Sequence, residues 1–216
     1  MAVRNKTIFA MSSRRLKTLI ILSLLAAGSL YLLDHRPAGC KWRQAETDSQ
    51  TQTADFAKYN GKTFTVTNIV DGDTLDIDVP DGQNNTTRIC LWGIDTPETK
   101  SPQTGVMYFG PEAAEFAKEL ALGKQVTVYL DEGNNTRGYY GRLLAYIKLA
   151  GGGFLNEVML TEGFAYADSR FRHSLYNKYR QLEAVAKSQK KGLWEKVTDE
   201  QLPEWLQSKK PNLLNK

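Results

Sequence analysis

The side chains best suited to chemistry in this chain are three carboxylates and an arginine. Asp73 ends the run Asp71-Gly-Asp73, and about twenty residues later Gly93-Ile-Asp-Thr-Pro-Glu98 supplies Asp95 and Glu98. Carboxylates brought close together repel, so a fold that converges them normally compensates with a cation, and oxygen-only donors favour calcium or magnesium over zinc. Zinc chemistry lacks support, because the only cysteines are Cys40 and Cys90 and the only histidines His35 and His173, with no C-x-x-C or H-E-x-x-H spacing. There is also no G-x-S-x-G elbow and no G-x-x-x-x-G-K-[ST] loop, which removes the usual markers of serine acyl transfer and nucleoside triphosphate binding. Arg142 follows Tyr139-Tyr-Gly at the start of an apolar-alternating run, and its planar, permanently charged fork matches phosphate oxygens. A metal, a spare carboxylate and an arginine together suit phosphodiester hydrolysis.

An ordered series of motifs extends the pattern: Val70-Asp-Gly-Asp-Thr-Leu75, Gly93-Ile-Asp-Thr-Pro-Glu-Thr99, Phe109-Gly-Pro-Glu-Ala113, Tyr140-Gly-Arg-Leu-Leu-Ala-Tyr146 and Leu155-Asn-Glu157, followed by Gly163-Phe-Ala165 and Gly192-Leu-Trp194. In order and spacing this resembles the thermonuclease family, the staphylococcal-nuclease-like calcium-dependent nucleases, over roughly Lys62 to Trp194. The resemblance implies an OB-type β-barrel that hydrolyses DNA or RNA and leaves 3′-phosphates. It implies calcium held by the Asp73 and Asp95 side chains and the Thr96 carbonyl, Glu98 as base or water-orienting carboxylate, Arg142 as clamp and general-acid candidate, and Tyr140 as a phosphate contact. One position departs from the family pattern. Where the family has a second arginine, five residues before the metal aspartate, this chain has Cys90. Arg88 lies two residues earlier on the same strand face, roughly 6.6 Å away, and is a weak substitute. Ser169 and Phe171 fall near the positions of family tyrosines. The rival reading is a non-catalytic barrel that binds nucleic acid or a protein, with Cys90 marking lost turnover.

Other candidates have plainer readings. Asp76, Asp78 and Asp81 alternate with Leu75, Ile77 and Val79, as on the solvated face of a strand. Cys90 reads as a small buried hydrophobe, and His173, at the start of the last long helix, as solvated.

The elements that must position these residues form an α+β domain of five strands in a small barrel packed by about three helices. Strand-like runs cover Thr63–Val70, Thr74–Val79, Thr87–Ile94, Gln125–Leu130 and Arg142–Leu149; helices are expected at Pro111–Leu122, Leu155–Thr161 and Leu175–Lys190. The domain spans 58–196, and the tail at 197–216 has a short helix near Glu200–Leu206 and no assigned role. Residues 1–17 are a basic segment, 18–33 a signal anchor and 34–57 a polar linker. Leu19 to Leu33 is almost uninterrupted apolar sequence behind Arg14, Arg15 and Lys17, which predicts an uncleaved membrane anchor with the enzyme extracytoplasmic, or a secreted protein if the segment is cleaved. No obligate protein partner is implied. The net charge of +4 is no evidence for nucleic acid, since residues 1–57 hold eight basic and four acidic side chains and the rest of the chain balances at 20 and 20. Only the cluster of Arg170, Arg172, Lys178, Arg180, Lys187, Lys190 and Lys191 could follow a phosphate backbone, and a solvated helix face explains it as well.

Overall fold

The structure, a computed structural model, describes residues 49–100 and 105–208. Five strands form a closed barrel in the order β1-β2-β3-β6-β5: β1 Lys62–Asp71, β2 Thr74–Ile77, β3 Thr87–Leu91, β5 Gln125–Tyr129 and β6 Leu143–Leu149. β1 serves two neighbours, pairing with β5 through Lys62–Thr65 and with β2 from Val66 to Asp71. Register breaks between Val66 and Asn68 and between Ile69 and Asp71 bend it, as bulges do, so that one strand can close both sides. The apolar alternation expected of the strands fills the interior with Val66, Leu75, Ile77, Ile89, Leu91, Val126, Val128, Leu143 and Ile147, all buried.

The run expected at Thr87–Ile94 is two strands. Gly93 adopts φ +82°, a left-handed conformation open to glycine, and a Cβ there would lie 2.4 Å from the His173 ring. The chain turns out of the barrel at this point into β4, Ile94–Asp95, which pairs with β7, Tyr166–Ala167. β3 and β6 run parallel, with Cys90 opposite Leu144, and this pairing sets Arg142 beside Cys90. Beyond the ladder's end a buried Asn156 continues the connection. Its Oδ1 accepts from Ile147 N at 3.0 Å and its Nδ2 donates to Trp92 O at 3.0 Å and Ala145 O at 3.3 Å. Asn156 lies on α3, Leu155–Thr161, the span expected from sequence.

α2, Gly110–Ala121, starts with Pro111 in its first turn and buries the small residues Ala113, Ala114, Ala117 and Ala121, which let it lie close against β1. α4, Tyr176–Ser188, buries Tyr179 and Ala186. A further helix, α1, Ser49–Tyr59, corrects the reading of 34–57 as linker throughout. Its Asp55 is buried, accepts from Thr136 Oγ1 at 2.6 Å, and is gripped by Arg137, which also pairs with Asp81. Asp81 is therefore part of an ion-pair network that docks α1 and not a solvated bystander. Beyond α4 the tail forms 3₁₀ turns at Gly192–Glu195 and Asp199–Gln201 and a short α5, Glu204–Gln207, close to the helix expected there. Among the described residues no helix is long and apolar enough to cross a membrane, and the anchor expected at 18–33 lies outside them.

Asn156→Ala would leave the Ile147 amide and the Trp92 carbonyl without their buried partner, while Ala145 O keeps the Trp92 amide. We expect a loss of about 2–3 kcal/mol, read as a lower urea midpoint at unchanged slope.

Candidate active site

The turn between β1 and β2 carries Asp71, Gly72, Asp73 and Thr74, and both aspartates are buried. Asp71 Oδ1 accepts from Asp73 N at 3.3 Å; Asp73 Oδ1 accepts from Thr74 Oγ1 at 3.0 Å and Oδ2 from Thr96 N at 3.3 Å. Gly72 is required by close approach, because a Cβ there would sit 2.9 Å from the Thr96 side chain and 3.0 Å from the Ala113 Cβ. Its absence lets the Asp95–Glu98 segment and α2 close directly over the turn. The Glu98 carbonyl accepts from Met107 N at 2.9 Å and leaves no room for a Cβ on Gly110, at 2.6 Å, which pins Glu98 against the start of α2. Its Oε2 points inward, away from solvent.

These carboxylates act on one another's charge. Burial, then repulsion from Asp71, Asp95 and Glu98, pushes the Asp73 carboxyl well above the ordinary range. Asp71 is raised by burial against its hydrogen bonds, and its Oδ2 is buried with no hydrogen-bond partner. Asp95 is pushed up to about 6 by burial, opposed by Arg170 and the Trp205 indole. Arg142 faces this group: burial lowers its pKa while Asp73, Asp71 and Glu98 raise it. Its guanidinium lies 5.5 Å from the centre of the Tyr140 ring. No three Asp, Glu, His or Cys side chains among the described residues converge into a metal-holding group. A cation there would find oxygen donors only, with the Asp73 and Asp95 carboxylates influenced by Asp71 and Glu98 near by. The all-oxygen chemistry and the buried, unpartnered Asp71 Oδ2 fit a hard divalent cation.

The fold therefore brings together Asp73, Asp95, Thr96, Glu98, Arg142 and Tyr140. Arg88 is drawn elsewhere: its Nε and Nη2 dock on the two oxygens of Asp76 at 2.8 and 3.0 Å. Burial would raise the Asp76 carboxyl, but Arg88 and Asn68 hold it below the usual range, so Asp76 is a buried ion-pair partner and not the solvated residue its alternation suggested. Asp78 accepts from Thr65 N at 2.8 Å. Cys90 is buried as expected, but it is disulfide-bonded; the chain's other cysteine, Cys40, lies outside the described residues. Its Sγ lies 3.6 Å from Arg142 Nη1.

His173 also departs from its reading. It is buried behind Gly93, its Nδ1 lies 3.0 Å from the Tyr146 hydroxyl, and that hydroxyl donates to Asp131 at 2.8 Å. Burial of Asp131 is outweighed by the Ser174 amide and hydroxyl, Tyr146 and Gly133, which hold its carboxyl down at about 2. The signals available in sequence could not find this network, since its members lie on separate elements.

The segment from 88 to 196 matches the family described as Staphylococcal nuclease homologue. The chain belongs to the staphylococcal-nuclease family. It is 34% identical over 144 residues to the Thermonuclease of Staphylococcus hyicus, covering 66% of this chain and 82% of that protein. It is 38% identical over 140 residues to the Thermonuclease of Staphylococcus intermedius, covering 63% and 78%. It is 34% identical over 134 residues to Endonuclease YncB of Bacillus subtilis (strain 168), covering 61% of each. Membership agrees with the ordered motifs, and the closed five-stranded barrel is consistent with the family's OB-type fold.

Burial lowers His173 to about 4 against the pull of Asp131 and Asp168, so the ring is neutral in the fold. The unfolded chain takes up this proton below its ordinary value of 6.5. The folded protein thus loses stability as pH falls from 6.5 towards 4, and above 6.5 the residue contributes no pH dependence. Comparing urea unfolding of the native protein with that of His173→Gln across this window should show a difference that changes by on the order of 1–2 kcal/mol, after allowing for solvent screening. A pH-independent difference would contradict the neutral buried ring.

Proposed function

We propose that this protein is a calcium-dependent nuclease that hydrolyses phosphodiester bonds of DNA or RNA and releases 3′-phosphate ends. The observation that carries the reading is the group of carboxylates facing Arg142, Asp71 and Asp73 buried and Asp95 and Glu98 half-buried, in a chain of the staphylococcal-nuclease family. The names of its relatives, thermonuclease and endonuclease, support the nucleic-acid substrate. Asp73, Asp95 and the Thr96 carbonyl would hold the cation, which when bound polarises a phosphoryl oxygen as a Lewis acid. Glu98 takes the proton of the attacking water, a role suited to a carboxylate kept from solvent. Arg142 docks on the non-bridging phosphate oxygens, answers the charge that grows on them, and donates to the departing 5′-oxygen. Tyr140, under the guanidinium, orients it and contacts the phosphate.

A second reading, a barrel that binds nucleic acid without cleaving it, is favoured by one observation. Cys90 stands where the family has a second arginine, and Arg88 is committed to Asp76. Hydrolysis of single-stranded DNA and RNA, with calcium and with chelator, separates the two. Calcium-dependent cleavage is expected, lowered about 10²–10⁴-fold in Glu98→Gln and roughly 10²–10³-fold in Arg142→Ala. Calcium binding by the folded native protein without turnover would leave the binding module.

We further place the enzyme on the outer side of a membrane, held by the apolar run Leu19–Leu33 behind its basic leader. Protease added to intact cells should then remove the nuclease domain, and full protection would contradict this orientation.

A further inference from the structure

The segment after Trp194 has no part in the reading above, yet it reaches the carboxylate cluster. Val197 and Leu202 are buried with Tyr166, Ala186, Leu193 and Trp194, and Trp205 and Leu206 pack against the same group. Thr198 and Gln201 form a capping box around the Asp199–Gln201 turn, and Gln207 Nε2 donates to the Glu200 and Leu202 carbonyls at 3.1 and 2.6 Å. So anchored, α5 turns Trp205 towards Asp95, and the indole Nε1–H donates to Asp95 Oδ2 at 2.8 Å across 110 residues of sequence. Arg170 Nη2 donates to the other oxygen, Oδ1, at 3.1 Å. The Arg170 guanidinium is in turn clamped by Asp168, through Nε at 2.9 Å and Nη2 at 2.9 Å, and lies over the Trp205 ring at 4.5 Å.

Each oxygen of Asp95 thus accepts one donor, and each keeps a second lone pair. The two donors differ in a way that matters for a cation site. Arg170 brings a charge, but Asp168 largely balances it. The indole N–H is a neutral donor, so it fixes the carboxylate's rotation without adding positive charge that would compete with a bound cation. Stacking on Arg170 holds the ring in its plane, and the apolar cluster holds the backbone that carries it.

We infer that Trp205 is a positioning residue of the active site, and that the C-terminal segment 199–207 completes the site by orienting Asp95 for a divalent cation. This rests on the reading of Asp95 as a metal ligand. The test uses the full chain and Trp205→Phe, which keeps a stacked ring and deletes the N–H, with calcium affinity measured by calorimetry in the absence of nucleic acid. Affinity is expected to fall about 10–100-fold, with the urea midpoint in chelator little changed and turnover restored by excess calcium. Unchanged affinity in a variant beside a native protein that binds calcium would overturn the inference alone. No calcium binding by the native protein would overturn the metal reading and this inference with it. A measurement that needs no variant is the set of indole N–H resonances of the ¹⁵N-labelled native protein, which has four tryptophans. One should move as calcium is added, and four unmoved resonances would count against the assignment.

Discussion

The structure is organised around a repulsion. Asp71 and Asp73 are buried on one tight turn, and Asp95 and Glu98 approach close enough to raise the charging cost of Asp73 further. Away from water such charges interact strongly and lose hydration, and each would sooner hold a proton than share the space ionised. Much of the surrounding fold bears on that cost. Thr74 and the Thr96 amide bond Asp73, Arg170 and Trp205 bond Asp95, and Arg142 faces the group. These partners reduce the repulsion without abolishing it, since Asp71, Asp73 and Asp95 all remain above their ordinary range. Carboxylates left in that state have the electrostatics that suit a cation, the reading proposed for them above.

The barrel supplies the rigidity that such a site needs. β3 lies between β2 and β6, so the same strand sets Cys90 against Thr74 on one side and Leu144 on the other. Two glycines then make the approach possible for different reasons. Gly72 yields the volume of a Cβ to Thr96 and Ala113, while Gly93 adopts the left-handed turn that takes the chain from the barrel wall to Asp95. Behind Gly93 the ring of His173 fills the space, tied through Tyr146 to Asp131. The loop that carries Asp95 and Glu98 therefore rests on a buried polar network whose nearest group, the histidine, stays neutral through the physiological range.

The guanidinium groups show how placement, and not residue type, decides function. Arg88, Arg137, Arg142 and Arg170 are all paired or faced by aspartates, but to different ends. Arg137 fastens α1 to the barrel, Arg88 is bound to Asp76 at the barrel surface, and Arg170 braces Asp95. Arg142 has burial working against its charge and the carboxylate cluster working for it, the balance expected of a group that meets an anionic substrate. Cys90, disulfide-bonded and beside Arg142, takes the place from which a further arginine would have acted.

Much of this was legible in the chain itself. Strand and helix spans followed from local alternation and turn residues, and the side chains of the cluster from ordered motifs, because both depend on neighbours a few residues apart. The tertiary structure alone decided the rest. Asp76 and Asp81 have the pattern of a solvated face and became ion-pair partners, since Arg88 and Arg137 stand opposite them on other segments. Asp55 lies in a polar stretch without periodicity, and its burial depends on an arginine 82 residues away. The indole of Trp205 reaches Asp95 over 110 residues. Hydrogen bonds and ion pairs of this kind carry no sequence period, for they are made by chain topology, and only the closed barrel with its docked segments brings the partners into range.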